Sequence, residues 1–298
     1  MNLSYIISAY KYPIQLARLV NKLNTDEVSF FIHVDKKTSP IIFDQIHALL
    51  SHLSNVYFLD RHNCYWGDFG HVEATIKGLR AGFKEGINFD YAILLTGQCY
   101  PIKSNVEIKQ FFETHQGKSF IKYYPVESRN WSQRIDRWHF RFSSRGYVSF
   151  PNRYLPLPIK RPSTKLFKPY FRGSSYWCLS RECIKYVLDF IDDDLASGGK
   201  FMRFFNGVYI PDEFFFQTIL LNSTLKEKVV NEDLWFIKWA EGNYVPNPSI
   251  LDVSPDEMLS SQKLFARKFD LNQTSTLLDK IDELTGGNEL LPLEQSSS

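Results

Sequence analysis

Short runs of β-branched and aromatic residues alternate with amphipathic stretches through roughly the first 120 residues. The runs LSYIISAY (3–10), VSFFIHVD (28–35), NVYFLD (55–60) and DYAILLTG (90–97) predict strands. Between them, YPIQLARLVNKLN (12–24), SPIIFDQIHALLSHL (39–53) and FGHVEATIKGLRAGFKE (69–85) repeat their apolar positions with helical period. Strands that alternate with helices imply a mostly parallel α/β sheet flanked by helices. Further on, GSSYWCLSRECIKYVLDFI (173–191) predicts a strand feeding a helix, PDEFFFQTILLNS (211–223) another helix, and LWFIKW (234–239) a strand. The region from about 125 to 170 is irregular, aromatic and proline-rich (RYLPLPIKRP). The end, LTGGNELLPLEQSSS, is polar and predicts a frayed tail.

This pattern locates a site. In open α/β sheets ligands bind beyond the carboxyl ends of the strands. Here those ends are Ser8-Ala9-Tyr10, His33-Val34-Asp35, Arg61 onward and Thr96-Gly97-Gln98.

Composition narrows the chemistry. The chain has 298 residues, 44% hydrophobic and 16% aromatic, enough for a full core. A net charge of +2 gives no whole-protein field to favour nucleic acid. Basic residues nevertheless concentrate between Arg129 and Arg172, a stretch suited either to phosphate, an acidic glycan or a membrane surface, or to plain solvent exposure. No stretch approaches the roughly 18 apolar residues of a membrane span, and no leader pattern opens the sequence. Cys64, Cys99, Cys178 and Cys183 have no metal-ligand spacing and read as reduced thiols. A cytoplasmic protein, in peripheral contact with the plasma membrane through 129–172, is therefore expected.

G-x-G-x-x-G, Walker A, H-E-x-x-H and G-x-S-x-G are all absent, which lowers hydride transfer, P-loop, zincin and α/β-hydrolase readings. Three stretches carry chemistry. HVDKK (33–37) places Asp35 at a strand end, either as a solvated terminus or as a partner for a base or ribose. FARKFD (265–270) holds Arg267 and Lys268 between aromatics, a setting for a diphosphate or carboxylate. IPDEFFFQTIL (210–220) sets Asp212 and Glu213 against Phe214, Phe215 and Phe216. Proline and acids before an apolar run make a good helix start. Equally, a carboxylate beside that much apolar surface is disfavoured in its charged form, which raises its pKa above the usual ~4.3 towards that of a useful general base.

HVDKK, YWGDFGHVEATIKGL, ILLTGQCYPIKSN, FRGSSYWCLSR, IPDEFFFQTIL and LFARKF together, in this order, resemble the core-2/I-branching β-1,6-N-acetylglucosaminyltransferase family and the related peptide O-xylosyltransferases. The resemblance implies a GT-A type fold in one catalytic domain over 1–275, with a nucleotide-binding half (1–120), an acceptor-side half (121–275) and a tail (276–298). It implies inverting transfer from a UDP-sugar (GlcNAc first, then xylose or another hexose) to a hydroxyl of a glycan or lipid-linked oligosaccharide. The compact length and the lack of a membrane anchor suggest a bacterial enzyme of polysaccharide synthesis. The family pattern maps the donor site onto Ser8, Asp35, Tyr65, Trp66, Ser175, Tyr176, Arg267 and Lys268. It makes Glu213 the general base and leaves Asp212 to cap or orient. No metal or cofactor is expected, since the family pattern has basic side chains on the diphosphate in place of an acid–x–acid metal site. Where relatives often carry an acid, Cys99 stands here. Two rivals use some of the same residue types: a glycoside hydrolase, which needs two carboxylates flanking the bond, and a carbohydrate-binding protein without turnover.

Overall fold

The computed structural model describes residues 1–126, 132–141, 154–160, 167, 169–239 and 248–286. The predicted alternation appears as β1 (Leu3–Ala9), α1 (Pro13–Leu23), β2 (Val28–Val34), α2 (Pro40–Leu50), β3 (Val56–Phe58), α3 (Gly70–Lys84) and β4 (Tyr91–Thr96). A two-residue β5 (Tyr100–Pro101), α4 (Asn105–Thr114), β6 (Ser119–Pro125) and α5 (Ser132–Asp136) follow, then a hairpin of β7 (Arg137–Arg141) and β8 (Tyr154–Lys160). The remainder comprises β9 (Phe171–Ser180), α6 (Arg181–Ala196), α7 (Lys200–Asn206), α8 (Phe215–Leu221), β10 (Val229–Val230), β11 (Trp235–Ile237), α9 (Pro255–Leu259), β12 (Phe265–Arg267) and α10 (Leu271–Leu284).

Seven strands form one sheet in the order β10-β6-β9-β4-β1-β2-β3. β4, β1, β2 and β3 run parallel, and β9 runs antiparallel to both of its neighbours, β4 and β6. This is the mostly parallel, helix-flanked α/β sheet expected. The central strands bury both faces: Leu3, Tyr5, Ile7 and Ala9 pack with α1, α2 and α10, whereas Ile6 points into the cluster built by α3, α6 and the phenylalanines of α7 and α8. The chain leaves β1 in one direction through β2 and β3, then returns with β4 on its other side. Its topological switch point therefore lies between β1 and β4, where Ser8 pairs with Thr96.

Two expectations need correction. The tail set off from residue 276 begins within α10 (Leu271–Leu284), whose Leu278 and Ile281 are fully buried in the core. Polar appearance misled because the helix is tied down by charge: Asp282 accepts from Arg18 Nε (3.0 Å) and from Tyr100 Oη (2.8 Å). Only 287–298 lie outside the described residues. Second, PDEFFFQTIL is not one helix. Pro211–Glu213 form a single 3-10 turn, Phe214 (φ −130°) breaks the path, and α8 starts after it with no side-chain cap. Asp212 thus caps nothing.

One backbone crossing is unusually close. Gly173 of β9 passes β6 where the register shifts, and a Cβ there would lie 1.6 Å from the Lys122 carbonyl oxygen. No side-chain rearrangement relieves a backbone clash. Gly173→Ala should therefore cost about 3 kcal/mol, the upper end of overpacking penalties, and lower the melting temperature by roughly 6–12 °C for a chain of this size. Calorimetry checks this, and an unchanged melting temperature would show that β9 and β6 can move apart.

Candidate active site

A cavity of about 950 Å³ opens at the switch point. Its floor comes from the strand ends: Ser8, Ala9 and Lys11 after β1, His33 and Asp35 after β2, Thr96 to Gln98 after β4. Trp66, Ser175, Tyr176, Glu213, Arg267 and Lys268 line it too, so the structure gathers eight of the nine sequence-derived site residues in one cleft. Tyr65 is the exception. It lines a smaller neighbouring depression with Asp68 and His139, and Lys37 of the main cavity has its Nζ 4.2 Å from the Tyr65 ring centre.

The β2 end is rigidly built. Arg61 donates to the carbonyls of Val34 (3.2 Å), Asp35 (3.1 Å) and Thr38 (2.9 Å), and Asp35 pairs with Lys37. His33 lies beneath, with its Nε2 accepting the His62 N–H at 3.1 Å. Burial pushes the His33 imidazole down to about 4, aided by the neighbouring His62. Among the described residues His33, His62 and Cys64 form the one cluster able to reach a common metal ion, with ligand atoms within 4.8 Å of one another. Their ligand atoms are already engaged within the protein: His62 Nε2 meets the Gly70 carbonyl at 2.8 Å, Lys77 Nζ meets His62 Nδ1 at 3.2 Å, and Cys64 Sγ meets the Gly70 carbonyl at 3.3 Å.

At the opposite rim three cations converge. The Arg267 guanidinium lies 4.5 Å from the Tyr176 ring centre, and its Nε is buried without a partner. Lys268 is held below the usual lysine range by burial, then by the charges of Lys11 and Arg267. Lys11 Nζ donates to Tyr12 Oη (3.2 Å), which donates to Asp270 Oδ2 at 2.6 Å. Lys11 is a site residue that sequence reasoning missed. It follows a strand end by two positions, but nothing in YKYP distinguishes it from a surface lysine.

The PDE segment closes the cavity. Ile210 is held at φ 56°, a costly setting for a β-branched residue, with its N–H on the Gly67 carbonyl at 3.0 Å. Glu213 Oε2 accepts from Arg134 Nη1 (3.0 Å), Arg172 Nε (2.9 Å) and Arg172 Nη2 (2.7 Å). The carboxyl of this motif that is pushed up is Asp212, to about 7, through burial first and then the adjacent charge of Glu213. Apolar packing therefore acts on Asp212, while Glu213 is turned towards arginines. Both arginines belong to the basic 129–172 stretch, but no spacing in the sequence points to their partner. Half of that stretch lies outside the described residues, and with it the acceptor and membrane contacts expected there.

Fold and cleft thus define an α/β protein with an anion-receiving switch-point site faced by a carboxylate. A family model for the Core-2/I-Branching enzyme matches residues 3–261, and the chain belongs to that family. Xylosyltransferase 2 of Rattus norvegicus is 25% identical over 287 residues, covering 90% of this chain and 32% of its own length. A human β-1,3-galactosyl-O-glycosyl-glycoprotein β-1,6-N-acetylglucosaminyltransferase is 24% identical over 309 residues, covering 94% of this chain and 69% of its own. The chain spans about a third of the length of the xylosyltransferases it matches. A 4-diphosphocytidyl-2C-methyl-D-erythritol synthase from Anaerococcus prevotii superposes with TM-score 0.32 and 14% identity over 66% of this chain and 76% of its own, too slight a likeness to bear on the argument. No helix among the described residues is long and apolar enough to cross a membrane.

Asp212 makes a stability prediction. Its folded pKa of about 7 lies above the ordinary carboxylate value, so between about pH 4 and 7 the folded chain holds a proton that the unfolded chain has lost. That term favours folding at low pH and is lost as pH rises through 7. Asp212→Asn removes it, so the variant should gain melting temperature relative to the native chain from pH 4 to 7 and level off above. A pH-independent difference would contradict the assignment.

Proposed function

We propose that the protein is an inverting glycosyltransferase that moves a sugar from a UDP-sugar to a hydroxyl of a glycan acceptor. The observation that carries this is the meeting, in one cavity, of the cations Lys11, Arg267 and Lys268 with the Glu213 carboxylate. Family membership and the named relatives, which act with xylose or N-acetylglucosamine, support the same reading. N-acetylglucosamine is the first donor to test, then xylose and other hexoses.

In this mechanism the acceptor oxygen forms a bond to the anomeric carbon as the bond from that carbon to the β-phosphate oxygen breaks. The electron pair leaves with UDP, and the acceptor proton passes to Glu213. Arg267 and Lys268 stabilise charge growing on the departing diphosphate, which is the role that preorganised cations serve best. Asp35 is placed for the ribose or base, Trp66 and Tyr176 for apolar contact with the donor. Metal plays no part in this reading, and its place is at the inner face of the plasma membrane, on glycan or lipid-linked acceptors. A hydrolase is disfavoured by the carboxylates themselves, since Asp212 and Glu213 are successive residues on one turn and do not flank a space for a sugar bond.

Three measurements test it. Glu213→Gln should lower turnover of UDP-GlcNAc or UDP-xylose by about 10² or more, the scale of general-base loss, with UDP affinity little changed. Near-normal turnover would remove Glu213 from the mechanism.

Lys268→Ala should weaken UDP while leaving uridine almost untouched, because each charge-assisted contact is worth roughly 1.5–3 kcal/mol. Titration calorimetry with both ligands decides, and equal losses would end the diphosphate role. Turnover in excess EDTA should stay near its untreated rate. Loss of activity restored by manganese would bring a metal into the mechanism.

A further inference from the structure

We infer that Arg172, supported by Arg134, is a positioning residue that aims the Glu213 carboxylate, and this rests on Glu213 being the base. Three guanidinium N–H groups converge on the same oxygen, Oε2, at 2.7–3.0 Å. Oε1 takes no hydrogen bond from any described residue and is not buried out of reach. Glu213 thus has one oxygen fixed by protein and one presented to the cavity that both arginines also line. A glutamate has free χ rotations that a single contact would not arrest. Nε and Nη2 of one planar guanidinium, joined by a second guanidinium from another element, leave the carboxylate one orientation.

The two arginines come from separate parts of the fold: Arg134 from α5, Arg172 from β9 beside the Gly173 crossing. Neither is more than about a sixth exposed. A surface ion pair would be loose and screened, whereas this one is partly withdrawn from water and shared three ways. Proton transfer then needs only that the acceptor hydroxyl meet Oε1. The proton passes from that hydroxyl to Oε1 as its oxygen bonds to the anomeric carbon and UDP departs, and the arginines keep their charge throughout.

The test uses UDP release from whichever of UDP-GlcNAc or UDP-xylose the native chain turns over. Arg172→Ala should lower kcat about 10²-fold, the cost of a misplaced reacting group, with Kd for UDP and melting temperature almost unchanged. Millimolar guanidinium chloride should restore part of that loss, and Arg172→Lys should fall between, since one ammonium cannot reproduce the two-nitrogen grip. In a Glu213→Gln background Arg172→Ala should add little, because the residue acts through the glutamate. Arg134→Ala supplies the same comparison should Arg172→Ala not fold. Unchanged kcat in the arginine variants, or a loss of kcat equally large in the Glu213→Gln background, overturns the inference. Glu213→Gln with normal turnover overturns the base instead, so the two failures are distinguishable.

Discussion

The cavity depends on one strand and the space allowed to it. β9 is the antiparallel member wedged between β4 and β6, and it fits only because Gly173 has no side chain to meet the Lys122 carbonyl. From that crossing the strand distributes the site. Arg172 turns to Glu213, the Ser174 carbonyl accepts Gln217 Nε2 at 2.7 Å and so anchors α8, and Tyr176 supports the Arg267 guanidinium. At about 3.3 Å per residue, four steps of strand separate the two ends by roughly 13 Å, a span suited to a nucleotide diphosphate at one end and an attacking hydroxyl at the other. A shift of β9 would displace both ends together. The core holds this strand firmly, with Trp177, Cys178 and Leu179 fully buried behind it.

Charge supplies the second constraint. Seven basic side chains line the cleft (Lys11, Lys37, Lys122, Arg134, Arg172, Arg267 and Lys268) against Asp35, Asp212, Glu213 and Asp233. Several of these charges cancel locally. Lys37 pairs with Asp35, the two arginines with Glu213, and Asp233 with Lys263 at 3.4 Å. Lys11, Lys122, Arg267 and Lys268 stand outside these pairs, and Lys268 is held below the usual lysine range by burial first and then by the charges of Lys11 and Arg267. Like charges held together by a fold store an electrostatic cost that a bound anion relieves. On the proposed reading that anion is the diphosphate of the donor.

How much of this could be read in advance follows from which residues obey local rules. The parallel core was legible because buried strands such as YIISA and FFIHV declare themselves by continuous apolar runs, and their order places the site without any knowledge of side-chain contacts. The PDE segment was legible as chemistry and misread as geometry. Proline and two acids favour a helix start, but Ile210 in a left-handed conformation and the break at Phe214 come from tertiary packing, which local propensity does not see. α10 was missed because its apolar residues are sparse and it is secured by Asp282 reaching Arg18 and Tyr100, partners more than 180 positions away in sequence. The Arg134–Glu213–Arg172 contacts are invisible for the same reason. Three residues that meet only in the fold leave no spacing to detect.

The placement of the two acids then changes the argument about basicity. Burial beside phenylalanine was expected to tune Glu213, and it acts on Asp212 instead. An inverting displacement does not call for a strong base. The acceptor hydroxyl becomes acidic only as its oxygen bonds to the anomeric carbon and UDP departs, so proton transfer can come late and its rate depends on orientation more than on affinity for the proton. Asp212 then serves by its neutrality. With a pKa of about 7 it carries less than a full charge near neutral pH, and a second full anion on the same turn would repel both the donor diphosphate and Glu213. On this reading the motif separates its acids by environment: one is aimed by arginines, and the other is held short of a full charge by the core so that the cations of the cleft remain available to the leaving group.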